Sequence, residues 1–148
     1  MKSFLASIFI LLCSFSSDSA WQTDFLQAQK KAQTEHKYIL LNFSGSDWCG
    51  PCMRMKKEIF SSKDFIDFSE RNLVLINADF PRLKKNQLNK AQQKANDELA
   101  ERYNQTGVFP CTLLLDANGK VIKVWDGFQK QGAALFTSEI NQLIGAAK

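Results

Sequence analysis

Tyr38-Ile39-Leu40-Leu41-Asn42-Phe43 is followed, after Ser44-Gly45-Ser46-Asp47, by Trp48-Cys49-Gly50-Pro51-Cys52. The first run is continuous, apolar and of strand length, the pattern of a strand covered on both faces. The second opens a helical stretch, residues 52–60, and sets two cysteines one turn apart at its start. A sulfur there faces unpaired N–H groups and the positive end of the helix dipole. A free thiol with a pKa of ~8.5 is only about 3% ionised at pH 7, and lowering the pKa to ~7 makes about half of it thiolate, the attacking species. Cys49 therefore reads as the nucleophile. Cys52, expected to be the less accessible, reads as the resolving thiol that releases a mixed disulfide. Pro51 lacks an N–H where a helix start needs none and stiffens the link between the sulfurs.

Two other uses of the pair are weaker. A permanent bridge closing so small a loop stabilises little in the chain-entropy model. A zinc site wants two further ligands, and only Cys111 and His36 remain beyond the N-terminal segment, far apart in sequence. A soft-metal carrier using Cys49, Cys52 and Cys111 is an alternative, because thiolates select Cu(I).

Outward from the motif the pattern alternates. Residues 22–35 read as a helix with Phe25, Ala28 and Ala32 on one face, and residues 73–78 as a second buried strand. Between them, after the cysteine pair, comes a further short helical segment around Phe65 and Phe68. Residues 88–103 are helical in composition. Residues 111–115 and 121–125 flank Asp116-Ala117-Asn118-Gly119-Lys120 as a hairpin, and residues 133–144 form a closing amphipathic helix. After the first helix the order is β-α-β-α-β-β-α. It predicts an α/β domain with a central mixed sheet, a parallel core with one antiparallel edge, and helices on both faces.

The chain has 148 residues, 45% of them apolar, with a net charge of +4. That is one ordinary domain, and its charge is too modest to argue for nucleic acid. The basic cluster Arg82, Lys84, Lys85, Lys90 and Lys94 is interleaved with Gln and Asn. Lacking stacking aromatics, it reads as a solvated loop and helix face. His36, in a polar stretch, reads as a surface residue.

The first twenty residues read as a secretory signal peptide. Lys2 supplies the positive start, residues 4–15 the apolar stretch, and Ser16, Ser17, Ser19 and Ala20 the small residues before cleavage after Ser19 or Ala20. The apolar stretch is too short to span a bilayer. Removal takes Lys2, Cys13 and Asp18, leaving 18 basic against 14 acidic residues, still +4, and three cysteines. An odd thiol count in an oxidising compartment, periplasmic or extracellular, fits a cycling pair plus a third cysteine that is buried or reactive.

At residues 48–52 the chain resembles the thioredoxin superfamily, and these five residues are identical to the motif that thioredoxins carry. Gly107-Val108-Phe109-Pro110, leading into a strand, stands at that family's position for a cis-proline beside the dithiol. The run Phe43-Ser44-Gly45-Ser46-Asp47-Trp48 and the stretch from Asp79 to Lys85 look like exported bacterial members, the C-terminal domain of the disulfide-interchange protein DsbD being a more distant relative. The resemblance implies a thioredoxin fold over residues 21–148. It implies an exported thiol–disulfide oxidoreductase that reduces or isomerises disulfides of exported proteins, the Gly-Pro pair pointing to the reducing side, with catalytic Cys49 and Cys52. Trp48, Gly50, Pro51, Phe109 and Pro110 would contact substrate, with no cofactor and no metal. The expected partners are disulfide-containing exported proteins and a membrane electron donor of the DsbD type, with no nucleic acid and a monomeric state. A peptide-binding module using the Trp48/Phe109 cleft is a second alternative.

Two departures stand out. The family's buried Asp, proton acceptor for the resolving thiol, falls on Asn42, and its partner Lys falls on Leu75. Asp47 and Glu58 are near in sequence, and water is a further acceptor. Cys111 stands where the family usually has Thr, and reads as a small buried side chain in preference to a third exchanging thiol.

Overall fold

Tyr38–Ser44 (β1) occupies an inner position of the sheet, paired on one side with Leu73–Asp79 (β2) and on the other with Cys111–Leu115 (β3). The computed structural model describes residues 21–147, so the expected leader, 1–20, lies outside the described residues. The strand order is β2-β1-β3-β4, with β4 spanning Val121–Asp126. The β1–β2 pair is parallel, but β1–β3 and β3–β4 are antiparallel. This corrects the expected parallel core with a single antiparallel edge. A strand covered on both faces is apolar throughout in either direction, so the run Cys111–Leu115 carries no sign of its orientation.

Helices cover both faces. Phe25–Glu35 (α1) and Lys90–Tyr103 (α4) contribute Ala28, Ala32 and Leu99 to one layer, against Ile39, Leu41, Phe43, Val74, Ile76 and Leu113. The opposite layer joins Leu40, Leu75, Leu114 and Trp125 to Met55, Ile59, Phe65, Phe136 and Ile140. Those last five come from a single π turn, Met55–Phe60, that continues Gly50–Arg54 (α2), from Lys63–Asn72 (α3), and from Ala133–Ala146 (α5).

α1 starts three residues later than its apolar pattern suggests. Asp24 caps it, its carboxylate accepting from the Gln27 N–H at 3.1 Å. Gln22 is spent elsewhere: its N–H donates to Leu75 O at 2.8 Å and its carbonyl accepts from Asn77 N–H at 3.0 Å. That short parallel bridge covers part of the β2 edge and seats Trp21 against Phe60, ring centroids 4.8 Å apart. His36, at φ 53°, closes the C-terminal end of α1 in the left-handed region, a structural position.

Truncating a fully buried ring leaves a cavity that a close-packed core refills poorly. Phe136→Ala is expected to cost about 3–5 kcal/mol, read as a lower urea midpoint at unchanged slope. Leu26→Ala on the outer face of α1, where Leu26 is 69% exposed, is expected to stay within about 0.5 kcal/mol of wild type.

Candidate active site

Cys49 is the N-cap of α2, in extended conformation, and its sulfur accepts the Cys52 backbone N–H at 3.2 Å. Gly50 and Pro51 occupy the first helical positions, where Pro51 withholds no needed donor. The two sulfurs form a disulfide, their Cα atoms 5.2 Å apart. Cys49 is 4% exposed and Cys52 5%, so the expected difference in accessibility is absent in the bonded pair. Gly50 and Pro51 are exposed beside them.

Trp48 is half-buried and firmly seated. Its indole N–H donates to Phe80 O at 2.7 Å. Its ring meets Phe109 edge-on at 5.4 Å, and Phe109 meets Phe80 at 5.5 Å. Gly45 makes room for it: a Cβ there would lie 2.2 Å from Trp48 Cε2. The Phe109–Pro110 peptide is cis, and Pro110 is buried. Buried Asn104 shapes the approach to it, donating to Val108 O at 2.9 Å and accepting from Val108 N–H at 3.1 Å. Trp48 and Phe109 therefore share the lining of one aromatic cleft of about 480 Å³, with Phe80 and Arg82, on the side of Trp48 away from the cleft that reaches Cys52. The Arg82 guanidinium lies 3.7 Å from the centroid of the Trp48 ring.

Behind the cysteines the sheet carries a polar floor. Asn42 is buried, its Nδ2 donating to Asn77 Oδ1 at 3.0 Å and its Oδ1 accepting from Thr112 Oγ at 2.9 Å. Ser44 Oγ lies 3.0 Å from Asn77 Oδ1 and 3.1 Å from Asp79 Oδ1. A second cleft of about 460 Å³ brings Asn42, Ser44, Asn77 and Lys56 together with Cys52. The partner of Asn42 is thus Asn77 and not Leu75, because the parallel register sets 42 opposite 77 and 40 opposite 75. Leu75 packs in the apolar layer.

Neither carboxylate near the motif in sequence faces the pair. Asp47 accepts from the Arg82 N–H at 2.9 Å, the Leu83 N–H at 3.0 Å and Asn86 Nδ2 at 3.0 Å. Those bonds, the Arg82 one foremost, lower its pKa below the ordinary carboxylate value. Glu58 pairs with Arg54 at 3.0 Å, which likewise holds it below the usual value. Cys111 is 2% exposed among Phe43, Ala78 and Leu113. Burial first, and the nearby Asp126 carboxylate second, push its thiol up to about 12. Among the described residues no three His, Cys, Asp or Glu side chains converge as a metal site would require.

Residues 25–143 match the family model for a thioredoxin-like domain. The chain is 34% identical over 124 residues to the disulfide bond reductase DsbH of Chlamydia pneumoniae, covering 84% of this chain and 72% of that protein. A solved structure of a DsbH oxidoreductase superposes with a TM-score of 0.76 at 33% identity, covering 85% of this chain and 84% of the other. The oxidised C-terminal domain of DsbD from Neisseria meningitidis shares the fold, with a TM-score of 0.56 at 20% identity over 83% of this chain and 98% of that one.

Two outcomes test this geometry. Gly45→Ala is expected to drive Trp48 off its seat, moving the Trp48 indole N–H resonance and costing about 1–3 kcal/mol by overpacking. Cys111, with the Cys49–Cys52 bond intact, is expected to resist maleimide at pH 8 and to label only on unfolding. Its raised pKa also fixes a sign. The neutral thiol favours the fold below the ordinary value of 9.0, and that contribution is lost as pH rises from there toward about 12.

Proposed function

The chain belongs to the thioredoxin-like family, and from that premise we propose that it reduces disulfides of exported proteins through Cys49 and Cys52. It is a thiol–disulfide oxidoreductase. The observation that carries the exchange chemistry is the Cys49 sulfur at the head of a helix, accepting the Cys52 amide, while the reducing direction is supported by the Gly50-Pro51 pair and by the likeness to a protein named disulfide bond reductase. The same N–H stabilises a thiolate on Cys49 in the reduced protein, and a lower thiol pKa makes more of the attacking form.

The reaction balances without a cofactor. The Cys49 thiolate attacks one sulfur of a client disulfide, forming a mixed disulfide and releasing the client's other sulfur as a thiolate that takes up a proton. Cys52, deprotonated, then attacks the Cys49 sulfur, closes the ring and releases the second client thiol. The client gains two electrons and two protons, and the protein's dithiol loses them. Trp48, Gly50, Pro51, Phe109 and Pro110 border the place where the client chain lies. Asn42 cannot accept the Cys52 proton, because an amide has no basic site at neutral pH. The cleft of about 460 Å³ against Cys52 is roomy enough for water, to which the proton passes.

Residues 1–20 act as the export signal in this reading, the mature chain starting at Ala20 or Trp21. Return of the protein to its reduced form falls to a membrane electron carrier, since the sequence carries no nucleotide-binding glycine pattern.

In an insulin reduction assay with dithiothreitol as electron source, Cys49→Ser is expected to fall to the uncatalysed rate. Cys52→Ser is expected to attack once and accumulate a mixed disulfide visible by mass spectrometry. Full activity in either variant overturns the mechanism. A protein isolated from cells wholly in the disulfide form would reverse the direction to that of an oxidase.

A further inference from the structure

The loop after β2 is held against the dithiol site with more care than a solvated basic stretch requires. Asp47, next in the chain to Trp48, accepts three hydrogen bonds from this loop, two from the backbone of Arg82 and Leu83 and one from the side chain of Asn86. These bonds fix the loop so that the Arg82 guanidinium rests 3.7 Å over the Trp48 ring. Trp48 is itself tied to Phe80 O in the same loop. Arg82 is nevertheless exposed and belongs to no ion pair among the described residues. The carboxylates nearest in the structure are engaged elsewhere: Asp47 with the loop backbone, and Asp79, on the wall of the same cleft, with Ser44 Oγ and the Ser46 N–H at 2.8 Å. A guanidinium over a ring face still offers its in-plane fork of N–H donors, which matches a carboxylate in two parallel bonds. Lys84 and Lys85 follow it in the same loop and are exposed, adding positive charge to the loop.

We propose that Arg82, laid over Trp48 at the mouth of the aromatic cleft, selects extended client segments that carry an Asp or Glu beside the disulfide cysteine. The proposal rests on the disulfide-exchange reading above and names the substrate class that reading left open. The client's apolar neighbour lies in the cleft that Trp48, Phe80 and Phe109 line, while its carboxylate meets the guanidinium. The expected preference is about fivefold, or about 1 kcal/mol at 1.4 kcal/mol per decade, the size of an exposed ion pair.

The test uses the purified, pre-reduced protein and three synthetic peptides with the same internal disulfide. The residue flanking one cysteine is Glu, Gln or Lys, and uncharged hydroxyethyl disulfide is the reference. Single-turnover oxidation of the dithiol is followed by acid quench and alkylation at low ionic strength. The expected order is Glu fastest, then Gln, then Lys, with the Glu advantage shrinking in 0.5 M salt, where the screening length is a few ångströms. Arg82→Gln is expected to erase the Glu advantage, Arg82→Lys to keep part of it, and Arg82→Glu to invert the order. Equal rates for the three peptides, or a Glu advantage that survives Arg82→Gln, overturn the proposal while the reference disulfide still reacts. Failure of the reference disulfide as well overturns the exchange reading on which the proposal stands.

Discussion

A backbone amide aimed at a sulfur is the contact on which the site depends. The Cys52 N–H reaches Cys49 Sγ because the chain, after the turn in which Trp48 and Cys49 N–H bond to Gly45 O, passes extended through Cys49 and straight into α2. A side-chain sulfur at the N-cap accepts a donor that no helical carbonyl can satisfy. The same four residues that start the helix therefore also set the chemistry of the first thiol. The surrounding architecture reads as support for that turn: β1 is paired on both edges, and the π turn after α2 sends Met55 and Ile59 into the core as anchors.

The second constraint is the polar floor. A buried amide on an inner strand is costly unless both ends of its side chain are bonded. Asn42 meets that demand from both neighbouring strands, Asn77 on β2 and Thr112 on β3, which the two registers place directly opposite it. A neutral network of this kind carries none of the desolvation cost of a buried carboxylate. It also gives up the buried base, since an amide at position 42 accepts no proton at neutral pH.

How much of this is legible in the sequence divides along one line. The apolar runs and helix faces, the hairpin at Asp116–Lys120 and the helix-opening cysteine pair all depend on local order, and local order is what periodicity reports. What depends on register or on contact across the fold is not written locally. Asn77 becomes the partner of Asn42 only through the β1–β2 pairing, and β3 shows no orientation because both of its faces are buried. Asp47 has the composition of a loop acid near a thiol, and only the return of residues 82–86 against it turns it into a clamp. Arg82 looks like one charge in a solvated cluster until the fold lays it on Trp48. Asp24 carries a local signal, an Asp just before an apolar helix face, that the helix reading over residues 22–35 runs past.

The clamp and the aromatic wall belong to one arrangement. Trp48 is adjacent to Asp47 on one side and to Cys49 on the other, so any force that reorganises the loop acts on the ring beside the reactive sulfur. Its indole N–H is bonded to Phe80, its face lies under Arg82, its ring meets Phe109, and its Nε1–Cε2–Cζ2 atoms fill the space that Gly45 leaves vacant. A side chain held from four directions has little rotamer freedom left to lose when a client arrives, and pre-paid order of that kind is what raises affinity without new contacts. Phe80, Pro81 and Arg82 form one wall of the cleft, and the bonds to Asp47 tie the loop behind them. Its charge is presented at a fixed place, which a free surface lysine on a flexible stem could not do.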